Sequence, residues 1–123
     1  MSKKRILLVE DDKTIRILLA SALEYDGYQV DAAENGVQAV YYLEDASYDL
    51  IITDYMMPEM DGLELTRKIK DKYPFMPVIA ITGTDAAYDI LKAEATVCIK
   101  KPFDLYALKE QIEEIFKGRI STP

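Results

Sequence analysis

Short apolar segments alternate with longer segments of helical period along the chain, and this alternation limits the possible folds more than any other feature. The apolar segments have the length and composition of strands, and they are Arg5–Val9, Tyr28–Ala33, Asp49–Thr53, Pro77–Thr82 and Thr96–Lys100. The segments of helical period are Asp12–Tyr25, Asn35–Asp45, Leu63–Lys72, 84–93 and Phe103–Lys117. Five βα units in succession predict an α/β protein whose parallel sheet has helices on both faces.

Local patterns add expectations about the helices and the domain. One face of the first helix, which we expect to pack against the sheet, contains Ile15, Leu18, Leu19, Ala22 and Leu23. Asp12 and Asp61 stand at the starts of helical segments, so their carboxylates are expected to cap backbone amides there. Residues 1–118 are expected to form a single domain, with residues 119–123 as a C-terminal tail.

Polar residues stand where four of the predicted strands end. Glu10 and Asp11 follow the first strand, and Asp54 follows the third. Thr82 ends the fourth strand, and Lys101 follows the fifth. In a flavodoxin-like doubly wound (βα)5 three-layer sandwich the strand order is 2-1-3-4-5, and ligands bind at the carboxyl ends of the strands, between the first and third. Acids, a lysine and a hydroxyl at that edge predict a phosphoryl-transfer site.

The composition excludes several classes of protein. The chain has 123 residues, a formal net charge of −7 and no histidine. It therefore lacks a Ser-His-Asp triad, any zinc site that needs imidazole, and the means to donate a phosphoryl group from histidine. Its negative charge argues against nucleic acid as a partner. No membrane-spanning run or secretory signal is seen, and the single Cys98 permits no internal disulfide, so we expect a cytoplasmic protein with no membrane partner.

Four motifs at the strand ends resemble those of the receiver domain of two-component response regulators, of the single-domain type used in chemotaxis and sporulation. The motifs are Glu10-Asp11-Asp12, Asp54 with Met57-Pro58 and Asp61-Gly62, Thr82-Gly83, and Lys101-Pro102-Phe103. The resemblance covers essentially the whole chain. It implies a signalling switch that assists its own phosphorylation and dephosphorylation, and not a conventional enzyme.

The resemblance also implies a role for each site residue. Asp54 matches the phosphoacceptor, because a carboxylate that attacks phosphorus gives an acyl phosphate. Thr82 and Lys101 match the catalytic residues that contact the phosphoryl group. The metal would be Mg²⁺, with Mn²⁺ as a possible substitute. Its implied ligands are Glu10, Asp11, Asp54 and the backbone carbonyl of Met56.

The implied partners are other proteins of a signalling system. The phosphoryl donor would be a sensor histidine kinase or a histidine phosphotransfer protein. A downstream protein target would be contacted through the fourth helix, the fifth strand and the fifth helix. The kinase, the pathway, the target, the oligomeric state and the choice between a stand-alone and an excised receiver stay open.

Two departures from the family pattern leave a second interpretation open. Thr82 and the residue three before Lys101 form the family's switch, and here that second residue is Cys98, where an aromatic ring is usual. The segment between Thr82 and Lys101 is also short by about one helical turn. Both features favour a receiver-like interaction module that works without phosphorylation. A phosphatase with an aspartyl intermediate is disfavoured, because Met56 stands where that class needs an acid.

Overall fold

Five strands and five helices alternate over residues 3–120, the part of the chain that the computed structural model describes. The strands are β1 (Arg5–Val9), β2 (Gln29–Ala33), β3 (Leu50–Asp54), β4 (Val78–Thr82) and β5 (Val97–Lys100). The helices are α1 (Lys13–Tyr25), α2 (Gly36–Asp45), α3 (Gly62–Lys72), α4 (Asp85–Glu94) and α5 (Leu105–Phe116). Residues 1–2 of the expected domain and 121–123 of the expected tail lie outside the described residues.

All strand pairs are parallel, and the sheet has the order β2-β1-β3-β4-β5. The predicted flavodoxin-like fold class is therefore confirmed. β1 lies between β2 and β3, so the strand order reverses there and the ends of β1 and β3 lie side by side. Asp54 at the end of β3 pairs in turn with Ile81 of β4. This register brings the ends of the three central strands to one edge.

The core consists of one apolar layer on each face of the sheet. One layer packs α2, α3 and α4 against the sheet, and the other packs α1 and α5. The expectation for α1 is only partly correct, because Leu19 and Leu23 are buried whereas Leu18 is 60% exposed and Ile15 is 40% exposed. The face of α1 that is buried against the sheet is therefore narrower than the face that carries its apolar residues.

Each helix begins with a side chain that accepts a hydrogen bond from a backbone amide three residues further on. These N-cap residues are Asp12, Asn35, Asp61, Thr84 and Asp104. The predicted caps at Asp12 and Asp61 are confirmed. Within residues 3–120, none of the helices combines the length and the apolar character that crossing a membrane requires.

Candidate functional site

Asp54 and Lys101 form an ion pair at the carboxyl edge of the sheet. Asp54 is the last residue of β3 and is only 5% exposed, because both faces of this central strand are covered. Lys101 follows β5, and its Nζ lies 2.8 Å from Asp54 Oδ1. The neighbouring Lys100 pairs instead with Asp85 at the start of α4. The two lysines therefore serve different parts of the structure, and only Lys101 reaches the buried acid.

Two further acids join Asp54 at this edge. Glu10, Asp11 and Asp54 each offer a carboxylate oxygen, and these oxygens all lie within 4.8 Å of one another. Such a set consists only of hard oxygen donors and leaves room for water ligands, which is the chemistry that Mg²⁺ prefers. The acidic cluster therefore fits a Mg²⁺ site.

Burial disfavours the charged forms of Glu10 and Asp54, the two buried acids of this cluster. The pKa of Glu10 is raised to about 7, mainly by loss of solvation and also by the charges of Asp54 and Asp11, whereas the amide of Asp12 and the charge of Lys101 oppose this rise. Burial also raises the pKa of Asp54, although its hydrogen bond with Lys101 opposes this. Burial disfavours the ammonium form of Lys101, but the hydrogen bond to Asp54 together with the charges of Asp54, Glu10 and Asp11 outweighs burial, so the pKa of Lys101 is raised.

The loop between β1 and α1 holds Glu10 from several sides. The amide of Asp12 donates a hydrogen bond of 3.1 Å to Glu10 Oε1, and the amide of Glu10 donates one of 3.1 Å to the carbonyl of Ala33. Arg16, which the sequence analysis passed over, donates from Nη1 to the carbonyl oxygen of Glu10 at 2.9 Å. The sequence gives one signal for this contact. Arg16 lies four residues, or about one helical turn, after Asp12, so its side chain is on the helix face that carries the start of the acidic loop.

The loop between β3 and α3 packs closely beneath Asp54. A Cβ atom on Gly62 would meet the carbonyl oxygen of Asp54 and lie 2.9 Å from the Cα of Tyr55. The amide of Gly62 donates a hydrogen bond of 2.9 Å to the carbonyl of Tyr55. Only glycine allows this close approach, which fixes the backbone of the candidate phosphoacceptor.

An open groove of about 580 Å³ adjoins the acids, and it is lined by Asp11, Tyr55, Met56, Met57, Pro58 and Asp61. The side chain of Met56 is 68% exposed, so a molecule that approaches the acids through this groove would meet the thioether. Met56 is thus exposed in the groove that Asp11 also lines, whereas Asp54 is buried.

The two predicted switch residues occupy different surroundings. Thr82 is buried at the end of β4, and its Oγ1 accepts a hydrogen bond of 3.3 Å from the amide of Thr84, the cap of α4. Cys98 is half-buried in β5, where burial raises the pKa of its thiol. It lines a surface groove with Tyr88 and other residues of the α4, β5 and α5 face. The structure therefore brings Glu10, Asp11, Asp54 and Lys101 together, with Thr82 on the adjacent strand end and Cys98 on that separate groove.

Comparison with known proteins agrees with this geometry. The family model for the response regulator receiver domain matches residues 6–113. The response regulator receiver protein CpdR of Brucella abortus is 39% identical over 115 residues, which cover 91% of this chain and 96% of CpdR. The sensor protein EvgS of Escherichia coli K12 is 38% identical over 116 residues, which cover 92% of this chain but only 10% of EvgS. This chain thus spans about a tenth of the length of EvgS and nearly all of CpdR.

Solved structures show the same architecture. The response regulator TrrA of Thermotoga maritima, in complex with Mg²⁺ and BeF, superposes with a TM-score of 0.85 at 35% identity, over 91% of this chain and 98% of TrrA. A receiver domain from Clostridium thermocellum superposes with a TM-score of 0.86 at 30% identity, over 94% of this chain and 96% of that domain. The chain therefore belongs to the response regulator receiver domains, the phosphoacceptor domains of two-component signalling that take phosphoryl groups from sensor histidine kinases.

Proposed function

We propose that Asp54 is the residue on which this receiver is phosphorylated, in a Mg²⁺-dependent reaction with a phosphohistidine of a sensor histidine kinase or histidine phosphotransfer protein. The observation that carries the proposal is the ion pair of 2.8 Å between the buried Asp54 and the partly exposed Lys101, beside two further acids. Burying Glu10 and Asp54, two acids of this cluster, costs stability. The retention of the cluster at the edge where this fold binds ligands supports a role in the reaction.

The chain's own residues account for the chemistry. A carboxylate oxygen of Asp54 attacks phosphorus, a new O–P bond forms, and the N–P bond to the donor imidazole breaks, with its electron pair returning to the ring. Lys101 offsets negative charge as the phosphoryl group arrives, and the hydroxyl of Thr82 donates a hydrogen bond to a phosphoryl oxygen. Glu10, Asp11, Asp54 and the carbonyl of Met56 would hold Mg²⁺. When bound, the metal neutralises charge on the phosphoryl oxygens.

The output is a change of protein partner through α4, β5 and α5, which makes the chain a switch and not a conventional enzyme. Cys98 lacks the aromatic ring that is usual at this position of the family's switch. A change at the site must therefore reach the α4, β5 and α5 face through other residues. The hydrogen bond from the Thr84 amide to Thr82 Oγ1 supplies such a connection, because Thr84 also caps α4. Movement of the Thr82 hydroxyl toward a phosphoryl group would therefore disturb the start of α4.

A phosphorylation-independent interaction module is the second candidate. Cys98 favours it, since this residue lies in the surface groove of the α4, β5 and α5 face and offers no aromatic switch. Under this alternative the face would bind its partner equally well whether or not Asp54 carries a phosphoryl group.

Labelling with acetyl phosphate tests the proposal directly. The protein is incubated with acetyl phosphate and Mg²⁺, and a phosphoryl mass increment is followed by intact mass spectrometry, with Mn²⁺ as a second metal. We expect an increment in the wild-type chain and in Asp71→Ala, whose carboxylate is exposed on α3, and none in Asp54→Ala or after chelation of the metal. Labelling that persists in Asp54→Ala would contradict the assignment. No labelling of the wild-type chain would favour the second candidate.

A further inference from the structure

We infer that Arg16 is a positioning residue that holds the backbone of Glu10 and Asp11 so that their carboxylates converge on one Mg²⁺ ion, an inference that rests on the proposed metal site. The guanidinium group donates from Nη1 to the carbonyl of Glu10 at 2.9 Å and to that of Asp11 at 3.4 Å. One side chain thus spans both residues that contribute acids from the β1–α1 loop. No other side chain among residues 3–120 donates a hydrogen bond to either carbonyl.

The acceptor atoms of these hydrogen bonds indicate that Arg16 positions the backbone and does not simply compensate the charge of the carboxylates. Arg16 contacts the carbonyl oxygens and makes no hydrogen bond to the carboxylate oxygens of Glu10 and Asp11, so it does not compete with a cation for them. Lys101, in contrast, contacts the carboxylate of Asp54 itself. The two cations therefore have different tasks, and only Arg16 fixes the course of the backbone that carries the acids.

Arg16 is itself held in place from a third element. Its side chain is 13% exposed, and its Nη2 lies 3.8 Å from Oε1 of Glu34, which follows β2. The amide of Glu34 in turn donates a hydrogen bond of 2.6 Å to Oε1 of Gln38 on α2. The guanidinium thus links the acidic loop to the neighbouring loop, because its planar fork directs Nη1 at the two carbonyls and Nη2 at Glu34, which a lysine ammonium cannot do in the same fixed geometry.

The test measures Mg²⁺ binding to the unphosphorylated full chain by isothermal titration calorimetry, with the metal alone as ligand. Groups that orient metal ligands typically change affinity by about 10- to 100-fold when they are removed. We expect Arg16→Met to weaken Mg²⁺ binding by about ten-fold or more, and Arg16→Lys to weaken it by a smaller factor. Arg67→Met, which breaks the exposed ion pair with Glu94 away from the site, should bind Mg²⁺ as the wild type does.

A second readout separates positioning from general damage to the fold. Because the reacting groups are unchanged, the rate of labelling by acetyl phosphate should fall in Arg16→Met at low Mg²⁺ and return close to the wild-type rate at saturating Mg²⁺. A variant whose fold is damaged would stay slow at every Mg²⁺ concentration. If Arg16→Met does not fold, Arg16→Lys decides the question in the same two assays.

The outcomes distinguish this inference from the proposed function. A wild-type chain that binds Mg²⁺, together with Arg16 variants that bind it equally tightly, would overturn the role of Arg16 alone. A wild-type chain that binds no Mg²⁺ would overturn the proposed metal site and this inference with it. Weaker binding by the Arg16 variants, with labelling rates restored at saturating Mg²⁺, would establish the positioning role.

Discussion

The buried carboxyl group of Glu10 allows the charge repulsion within the site to be measured by a single substitution, Glu10→Gln. The side chain is 4% exposed, and its pKa in the folded protein is about 7, compared with an ordinary value of 4.5. Glutamine retains the oxygen that accepts the hydrogen bond from the amide of Asp12. The substitution therefore removes the titration and the charge while preserving the local contact.

The sign and the size of the effect follow from these pKa values. The unfolded chain loses the Glu10 proton near pH 4.5, whereas the folded chain keeps it to about pH 7. Over that interval the folded state binds more protons, so the free energy of unfolding falls as the pH rises, and it levels off above the folded pKa. The two pKa values differ by about 2.5, which at about 1.36 kcal/mol per pKa unit is about 3 kcal/mol.

Urea unfolding followed by circular dichroism, with a chelator present, measures this effect at about pH 5 and about pH 8. Relative to Glu10→Gln, the wild type should lose up to about 3 kcal/mol between these conditions, which is about 1.5 M in urea midpoint for a slope of about 2 kcal/mol/M. Glu24→Gln, an exposed residue of α1, is the matched control and should follow the wild type.

The same unfolding measurement is repeated with Mg²⁺ in place of the chelator. Saturating Mg²⁺ should raise the wild-type stability at the higher pH more than that of Glu10→Gln, because the cation compensates a charge that the variant lacks. The reasoning is refuted if wild type and Glu10→Gln show the same pH dependence in the chelator.

Three further substitutions test other parts of the site. Lys101→Met should slow labelling by acetyl phosphate about 100-fold, because it removes the cation paired with Asp54, the proposed phosphoacceptor. Lys100→Met should leave the rate unchanged, and equal effects of the two would contradict the distinct pairing of the lysines. Gly62→Ala should lower the free energy of unfolding by about 1–3 kcal/mol in urea, because its Cβ meets backbone atoms. Gly83→Ala has open space and is the control; equal losses would count against the packing argument. Met56→Asn should shorten the phosphoryl half-life measured by mass spectrometry, since an amide orients water better than a thioether, and an unchanged half-life would remove that role.

The convergence of the site could be predicted because it follows from topology. Once the apolar segments are assigned to a parallel sheet, the residues after β1 and β3 must share an edge, which brings Glu10 and Asp11 to Asp54. The helix caps at Asp12 and Asp61 could also be predicted, because they depend only on short local spacing.

Features that depend on side-chain packing could not be predicted in this way. Periodicity identifies the apolar positions of α1, but it does not reveal that Leu18 lies outside the part of the helix that packs against the sheet. The hydrogen bond from Arg16 to the carbonyl of Glu10 depends on one rotamer, which sequence spacing permits but does not require. Likewise, the family resemblance and not the spacing distinguished Lys101 from Lys100.

The capped helices have a consequence for how the site receives an anion. Each helix follows a strand, so all five helices begin at the sheet edge where Asp54 lies. Aligned peptide dipoles place a partial positive charge at every one of these helix starts. These helix starts therefore contribute a favourable term for a phosphoryl group at this edge of a chain whose net charge is −7. The polarity of the backbone thus adds to Lys101 and the proposed Mg²⁺ in offsetting the charge of a dianion beside the carboxylates of an acidic protein.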